Sequence, residues 1–115
     1  MLKWREYRAG VKKRVGDLRE LAPEAMKGYA ALSASSDKAV HLDGKTRELI
    51  SLAVAVTTRC DGCIASHVEA ALGYGATKAE IAEALGVAIA MNAGAALVYS
   101  ARAMDCVDEM SVAQS

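Results

Sequence analysis

Aromatic side chains and net charge are both scarce in this sequence. Aromatic residues make up 4% of the 115 residues and phenylalanine is absent, whereas alanine is abundant. Alanine-rich helices can approach one another closely, but each buries little apolar surface per residue, so such a chain gains from association with further copies. Lysine plus arginine number 14, as do aspartate plus glutamate, so the formal net charge is zero. Because no basic excess is available to neutralise phosphates, nucleic acid is not an expected partner.

Signals for export and for a membrane span are also lacking. The start, MLKWREYRAGVKKR, is charged and has neither the apolar run nor the small-residue cleavage site of a secretory signal. The longest weakly polar stretch, 85–101, is mostly Ala and Gly and contains Asn92, which makes it short and polar for a membrane span. We therefore expect a cytoplasmic protein without a membrane association. In that compartment structural thiols stay reduced, so a close cysteine pair is catalytic, redox-sensing or metal-binding.

The hydrophobic pattern predicts an all-α fold. No Val/Ile/Thr-rich alternating run is present, whereas apolar spacings of three and four recur along the chain. The length and the 53% hydrophobic fraction predict a single domain over residues 1–115. Segments 52–56 and 87–99 are apolar nearly all round, which indicates contact on more than one face and, in so small a domain, burial between subunits.

Five helices are predicted, at 4–20, 23–34, 44–58, 61 to Gly73 or Gly75, and 78–107. The only proline, Pro23, suits the first turn of the second helix. Asp43 can cap the third, and Thr77 followed by Glu80 is a capping box for the fifth. We expect Gly94 to bend or break the fifth helix.

A Cys-x-x-Cys motif, Cys60-Asp61-Gly62-Cys63, lies where the third predicted helix ends and the fourth begins. Free amides and the positive end of a helix dipole favour an anionic thiolate, which is the species that attacks disulfides and peroxides. Two thiols three residues apart at such a turn can close a disulfide with little rearrangement. The motif therefore predicts a pair that cycles between dithiol and disulfide.

Two further side chains are candidates for proton transfer. His67 follows Cys63 by four residues, so on a helix the two share a face and the imidazole can exchange a proton with the thiol. Glu48 precedes Cys60 by twelve residues and can meet His67 only if the third and fourth helices pack antiparallel. The turn at the cysteines makes that packing the expected one.

The arrangement of Glu48, eleven residues, Cys60-x-x-Cys63, three residues and His67 resembles the signature of the AhpD-like alkylhydroperoxidase group of the carboxymuconolactone decarboxylase family. The surrounding segment 45–85, about a third of the chain, resembles the core of that family nearly end to end. Cys-x-x-Cys alone is common, but the added Glu and His at these spacings are not. Some members carry a histidine between the cysteines, at the position that Gly62 occupies here.

This resemblance implies an AhpD-like helical bundle that forms obligate oligomers, such as trimers or hexamers, and a thiol-dependent peroxidase or disulfide reductase activity. It implies that a proton relay links Cys63 to His67 and Glu48, and that Cys60 is the more exposed partner for mixed disulfides. The implied substrate is a hydroperoxide or a disulfide, and the implied electron donor is a dithiol such as a lipoyl or thioredoxin-like protein or a peroxiredoxin. No cofactor is expected.

Other interpretations of the cysteine pair stay open. The pair can be two small buried residues, or a redox-sensing or assembly module without turnover. Together with His67 and Glu48 it can be a zinc site. Structural zinc usually takes four cysteines, three cysteines with one histidine, or two of each, and the sequence has no second Cys or His pair, so metal is not favoured. The family name also raises ring-lactone decarboxylation, which has no evident use for a dithiol. Cys106 is expected to be a free buried cysteine without a role.

Overall fold

Helices account for the fold of residues 1–113, which are the residues that the computed structural model describes. The bounds are α1 Trp4–Leu21, α2 Pro23–Ala34, a short 3-10 helix Ser35–Lys38, α3 Gly44–Thr57, α4 Asp61–Gly73 and α5 Lys78–Met110. No strand occurs among these residues. The all-α prediction is confirmed, and the predicted helix bounds agree with the observed ones to within three residues.

Helix starts follow the capping signals of the sequence. The side chain of Asp43 accepts a hydrogen bond from the backbone N–H of Thr46 at 2.8 Å and caps α3. At the start of α5 the Thr77 hydroxyl accepts from the N–H of Glu80 at 3.1 Å, and the Glu80 carboxylate accepts from the N–H of Thr77 at 2.9 Å. Each cap satisfies backbone donors that have no partner inside the helix.

An antiparallel hairpin of α3 and α4 forms the centre of the fold. Its interior is small: Leu52 is 1% exposed, and the other buried apolar residues are all alanines, namely Ala55, Ala65, Ala71, Ala76 and Ala88. Helix α1 packs along α4, where Arg8 forms an ion pair with Glu69. Such alanine contacts allow close helix packing but bury little apolar area, as the composition indicates.

Gly44 opens α3 although glycine is a poor helix former. A Cβ atom at this position would overlap the ring of Tyr74, which follows the end of α4. The absence of a side chain at position 44 therefore lets the two ends of the hairpin meet.

Helix α5 runs parallel to α3. The Lys45 ammonium, at the start of α3, bonds the Glu80 carboxylate at 2.8 Å, and the Asn92 amide bonds the hydroxyl of Thr57, the last residue of α3, at 2.9 Å. Both pairs are separated by 35 residues along the chain, which is the signature of two helices with the same direction and a fixed register. Beyond Asn92, α5 continues past the end of α3.

Two details of α5 differ from the prediction. The helix passes through Gly94 without interruption and ends at Met110, because one glycine costs only about 1 kcal/mol in a helix whose other residues favour it. Cys106 is exposed rather than buried, since no other helix in residues 1–113 covers the part of α5 that carries it.

Helix α5 is also the one helix in residues 1–113 that is long and apolar enough to cross a membrane, judged by length and composition alone. The core helix of a soluble protein passes the same test, so this is weak evidence. The expectation of a protein without a membrane association stays a prediction.

The chain is far from compact for its length. The Cα radius of gyration is 19.6 Å and the longest extent is 61 Å, against a radius of about 13 Å for a compact domain of this size. The extension comes from α5, whose 33 residues make a rod of about 50 Å. Large apolar side chains along this rod remain exposed, among them Leu97, Val98, Tyr99, Met104 and Met110.

Candidate functional site

The cysteine pair lies at the start of α4, as the sequence predicts. Cys60 and Cys63 form a disulfide with a Cα–Cα distance of 5.2 Å. Cys60 is the N-cap residue, and its sulfur accepts a hydrogen bond from the backbone N–H of Cys63 at 3.2 Å. Both cysteines are half-buried. A thiolate at Cys60 in the reduced pair would keep that amide and the helix dipole as stabilising partners.

The turn between α3 and α4 places Cys60 at the start of α4. Arg59 has φ of 56°, in the left-handed region, and its N–H bonds the carbonyl of Val56 while the N–H of Cys60 bonds the carbonyl of Ala55. This is the Schellman pattern that ends a helix. The end of α4 repeats it with Gly75 at φ of 85°.

Arg59 is the site feature that the sequence analysis missed. Glycine is the usual signal for a left-handed helix end, and position 75 carries it, whereas position 59 does not. A non-glycine residue there costs about 1 kcal/mol. Backbone strain of this kind is often found at functional sites, and here it lies next to the cysteine pair.

His67 and Glu48 meet across the α3–α4 hairpin. The distance from His67 Nδ1 to Glu48 Oε2 is 2.5 Å, and the side chains are 36% and 20% exposed. In the neutral tautomer that this contact selects, Nδ1–H donates to the carboxylate and the lone pair of Nε2 is free to accept a proton. The antiparallel packing on which this contact depends is the predicted one.

The structure thus brings the four predicted residues into two adjoining pairs. His67 lies one helical turn after Cys63, a rise of about 6 Å along the axis. Within residues 1–113 no hydrogen bond joins the imidazole to either sulfur. A proton passing between the two pairs would therefore need a bridging water or a side-chain movement, once the disulfide is reduced.

A cavity of about 790 Å³ opens on the His67–Glu48 pair between α1, α2 and α3. We call it the α2 cavity. Its apolar wall includes Val15, Met26 and Tyr29, and three basic residues, Arg19, Lys27 and Arg47, line it as well. Neither cysteine is among its lining residues. The sequence gives no local signal for this cavity, because its walls come from elements far apart in the chain.

No group of three or more His, Cys, Asp or Glu side chains within residues 1–113 is arranged to hold a metal ion. Glu48 bonds the Nδ1 of His67, and the two sulfurs bond each other. Within the described residues, these four side chains therefore do not form a zinc ligand set.

The fold and these two pairs define a class of protein: an all-helical chain with a disulfide-bonded cysteine pair at a helix start, one turn before a histidine that is hydrogen-bonded to a carboxylate. The chain belongs to the carboxymuconolactone decarboxylase family, whose model matches residues 23–105.

Three similar proteins each match most of this chain. An uncharacterized protein of Haemophilus influenzae is 52% identical over 102 residues, which cover 89% of this chain and 90% of that protein. An uncharacterized protein of Cupriavidus necator is 29% identical over 101 residues, 88% of this chain and 89% of its own length. The crystal structure of an apo carboxymuconolactone decarboxylase family protein from Legionella pneumophila superposes with a TM-score of 0.74 at 34% identity, covering 96% of this chain and 98% of that one.

Proposed function

We propose that this protein is a thiol-dependent peroxidase or disulfide reductase of the AhpD-like group, acting through Cys60 and Cys63. The observation that carries the proposal is the disulfide at the start of α4, one turn from a histidine that is hydrogen-bonded to a carboxylate. A thiolate at a helix start is the nucleophile that such chemistry needs, and a histidine with a free Nε2 is the usual proton acceptor.

The proposed cycle balances with a hydroperoxide as oxidant. A cysteine thiolate attacks the terminal oxygen of ROOH, the O–O bond breaks, and the alkoxide leaves as ROH after taking a proton. The resulting sulfenic acid reacts with the second thiol, releasing water and forming the Cys60–Cys63 disulfide. An external dithiol then attacks one sulfur, and a second exchange leaves the reduced pair and an oxidised donor. With a disulfide substrate, the reduced cysteine pair attacks the substrate disulfide, reduces it to two thiols and is itself oxidised to the Cys60–Cys63 disulfide.

The side chains have distinct proposed roles. Cys63 shares a helix face with His67, so we assign the proton-coupled attack to Cys63 and the mixed disulfide with the donor to Cys60. His67 accepts the thiol proton and returns it to the leaving group, and Glu48 orients the imidazole and stabilises its charged form. The donor is a dithiol carrier, such as a lipoyl or thioredoxin-like protein or a peroxiredoxin. We place the protein in the cytoplasm as a homo-oligomer.

The test is turnover of an alkyl hydroperoxide with a dithiol donor, compared between the wild type, Cys63→Ser and Cys106→Ser. We expect Cys63→Ser to lose turnover. Cys106→Ser removes the exposed cysteine on α5 and should keep turnover, which makes it the matched control. Equal turnover by all three proteins would contradict the proposal.

A second candidate is decarboxylation of a carboxylated lactone, the reaction in the family's name. The α2 cavity favours it, because His67 and Glu48 lie on its wall with three basic residues while the cysteines do not. Carboxylate groups on a substrate would find cationic partners there. Decarboxylase activity that survives replacement of both Cys60 and Cys63 by alanine would favour this candidate over the redox one.

A further inference from the structure

Arg59 lies at a position where the backbone favours glycine. It is the one non-glycine residue with a positive φ in residues 1–113, and the matching position at the end of α4 is Gly75. Glycine adopts the left-handed conformation without strain, and asparagine adopts it more readily than arginine. The chain therefore gives up stability to keep a long cationic side chain here, and strain that is kept at one residue indicates a use for that residue.

No ion pair within residues 1–113 explains why an arginine is kept at this position. Arg59 is exposed, and none of the ion pairs formed by the described side chains includes it. It directly precedes Cys60, and consecutive Cα atoms are only about 3.8 Å apart. The guanidinium thus stays within roughly one Debye length of the Cys60 sulfur, which is about 10 Å at 0.1 M salt. Its charge therefore acts on any molecule that approaches Cys60.

Helix α1 brings further positive charge to the same turn. A Cβ atom on Gly62 would lie 3.8 Å from Cγ1 of Val11, so α1 passes close to the residue between the two cysteines. Lys12 comes next on α1, is exposed, and lines the groove between α1 and α4. Asp61, in the first turn of α4, is the exposed carboxylate beside the pair. Two cations, Arg59 and Lys12, thus outnumber this one carboxylate.

We propose that Arg59 selects the redox partner of the cysteine pair, and that this partner is a protein segment with carboxylates beside its own dithiol or disulfide. The inference rests on the proposed dithiol–disulfide chemistry and adds the charge of the partner and the residue that recognises it. A guanidinium holds a carboxylate through two parallel N–H donors. Lys12 adds attraction at longer range, which acts on the rate of encounter and weakens with salt.

The first test follows oxidation of the reduced pair by three small disulfides: anionic dithiodiglycolate, neutral bis(2-hydroxyethyl) disulfide and cationic cystamine. One cysteine thiolate attacks a probe sulfur, the probe S–S bond breaks, and one probe thiol leaves. The other cysteine then displaces the second probe thiol, so the Cys60–Cys63 disulfide forms while two electrons and two protons pass to the probe. All proteins carry Cys106→Ser, so that free thiols counted by mass spectrometry come from the pair alone.

Arg59→Gln should slow exchange with the anionic probe by about three- to tenfold relative to the neutral probe, and it should speed exchange with the cationic probe. Arg59→Lys should keep most of this preference, whereas Arg59→Gly should lose it although it relieves the backbone. A changed thiolate fraction alters all three rates by one factor, so the spread between probes measures selection. The spread should vanish at about 1 M salt, where the Debye length is about 3 Å. Arg102→Gln, at an exposed arginine of α5, is the matched control and should leave all three rates unchanged.

The second test uses two synthetic peptides with the same Cys-x-x-Cys disulfide, flanked by glutamates in one and by lysines in the other. The ratio of their exchange rates, glutamate peptide over lysine peptide, should fall by about tenfold when Arg59→Gln is combined with Lys12→Gln. A reduced pair that exchanges with no probe would contradict the proposed function and this inference together. Exchange with every probe at rates that Arg59→Gln changes by one common factor would refute the selection by Arg59 alone.

Discussion

The His67–Glu48 contact gives the sharpest prediction about the site. Replacing Glu48 by glutamine keeps the shape and an oxygen acceptor for Nδ1–H but removes the negative charge. A hydrogen bond to a charged group contributes about 1.5–3 kcal/mol. Because the side chains are 36% and 20% exposed, water screens part of that energy, and the lower half of the range applies. We therefore expect Glu48→Gln to reduce kcat/KM by roughly 12- to 45-fold, equivalent to about 1.5–2.25 kcal/mol.

A double-mutant cycle tests whether Glu48 acts through His67. We expect His67→Asn alone to reduce kcat/KM by about 10²- to 10⁴-fold, the usual contribution of a general acid or base. If the carboxylate works only by orienting and charging the imidazole, the double variant should be no slower than His67→Asn. The assay is peroxide-dependent oxidation of a dithiol donor, followed at several donor concentrations so that kcat and KM are separated.

The matched control for this cycle is Glu83→Gln, the same chemical change at an exposed carboxylate of α5. It should leave kcat/KM within about twofold of the wild type, as surface substitutions usually have small effects. Losses from Glu48→Gln and His67→Asn that simply add in the double variant would refute the relay, because they would show that the two side chains act independently.

Further predictions concern stability and thiol reactivity. Leu52→Ala should lower the free energy of unfolding by about 2–5 kcal/mol in a urea titration, because Leu52 is the one large side chain that is fully buried in residues 1–113; a loss below about 1 kcal/mol would contradict this. Arg59→Gly should raise the free energy of unfolding by about 0.5–1 kcal/mol, because glycine adopts the left-handed backbone without strain. A decrease in the free energy of unfolding would count against strain at this residue. The Lys45–Glu80 hydrogen bond lowers the pKa of Glu80 from 4.5 and raises the pKa of Lys45 from 10.5. The pair therefore stabilises the fold fully between those two values, and the stabilisation is lost as pH falls through the lowered pKa or rises through the raised one. The thermal midpoints of the wild type and Glu80→Gln should converge at both pH extremes, and a constant difference between them would refute the linkage. Asp61→Asn should speed alkylation of the reduced dithiol by about three- to tenfold, since a like charge roughly 6 Å away opposes the thiolate by about 1 kcal/mol; unchanged alkylation would contradict it.

Much of the fold follows from local signals that act within a few residues. The N-caps at Asp43 and Thr77 and the proline at the start of α2 depend on side chains that bond their own backbone, so a sequence reveals them directly. The course of α5 beyond Gly94 is harder to predict than the helix starts, because a single glycine weakens a helix but is often tolerated in one. Local propensity alone does not decide between those outcomes.

The site also has a part that local sequence signals predict and a part that they do not. The spacing of Cys60, Cys63 and His67 lies within one turn and one helix, and the disulfide and the shared face could be predicted from it. The meeting of Glu48 with His67 depended on one assumption, the antiparallel hairpin, which the structure supports. The α2 cavity was out of reach, because its basic residues come from α1, α2 and α3, and their proximity depends on tertiary packing.

The small interior and the exposed second half of α5, residues 95–110, are two aspects of the same composition. A core of one leucine and five alanines removes little apolar area from water, and at about 25 cal/mol per Å² it offsets only part of the conformational entropy lost on folding. The apolar residues that a compact chain would have placed in that core are instead on the second half of α5 and on the surfaces of α1 and α2. The homo-oligomer proposed above would bury them, and we then expect the stability of the hairpin that carries the cysteine pair to rise with protein concentration. In that oligomer the integrity of the site would depend on the neighbouring copies, and a stability that is the same at all protein concentrations would contradict this dependence.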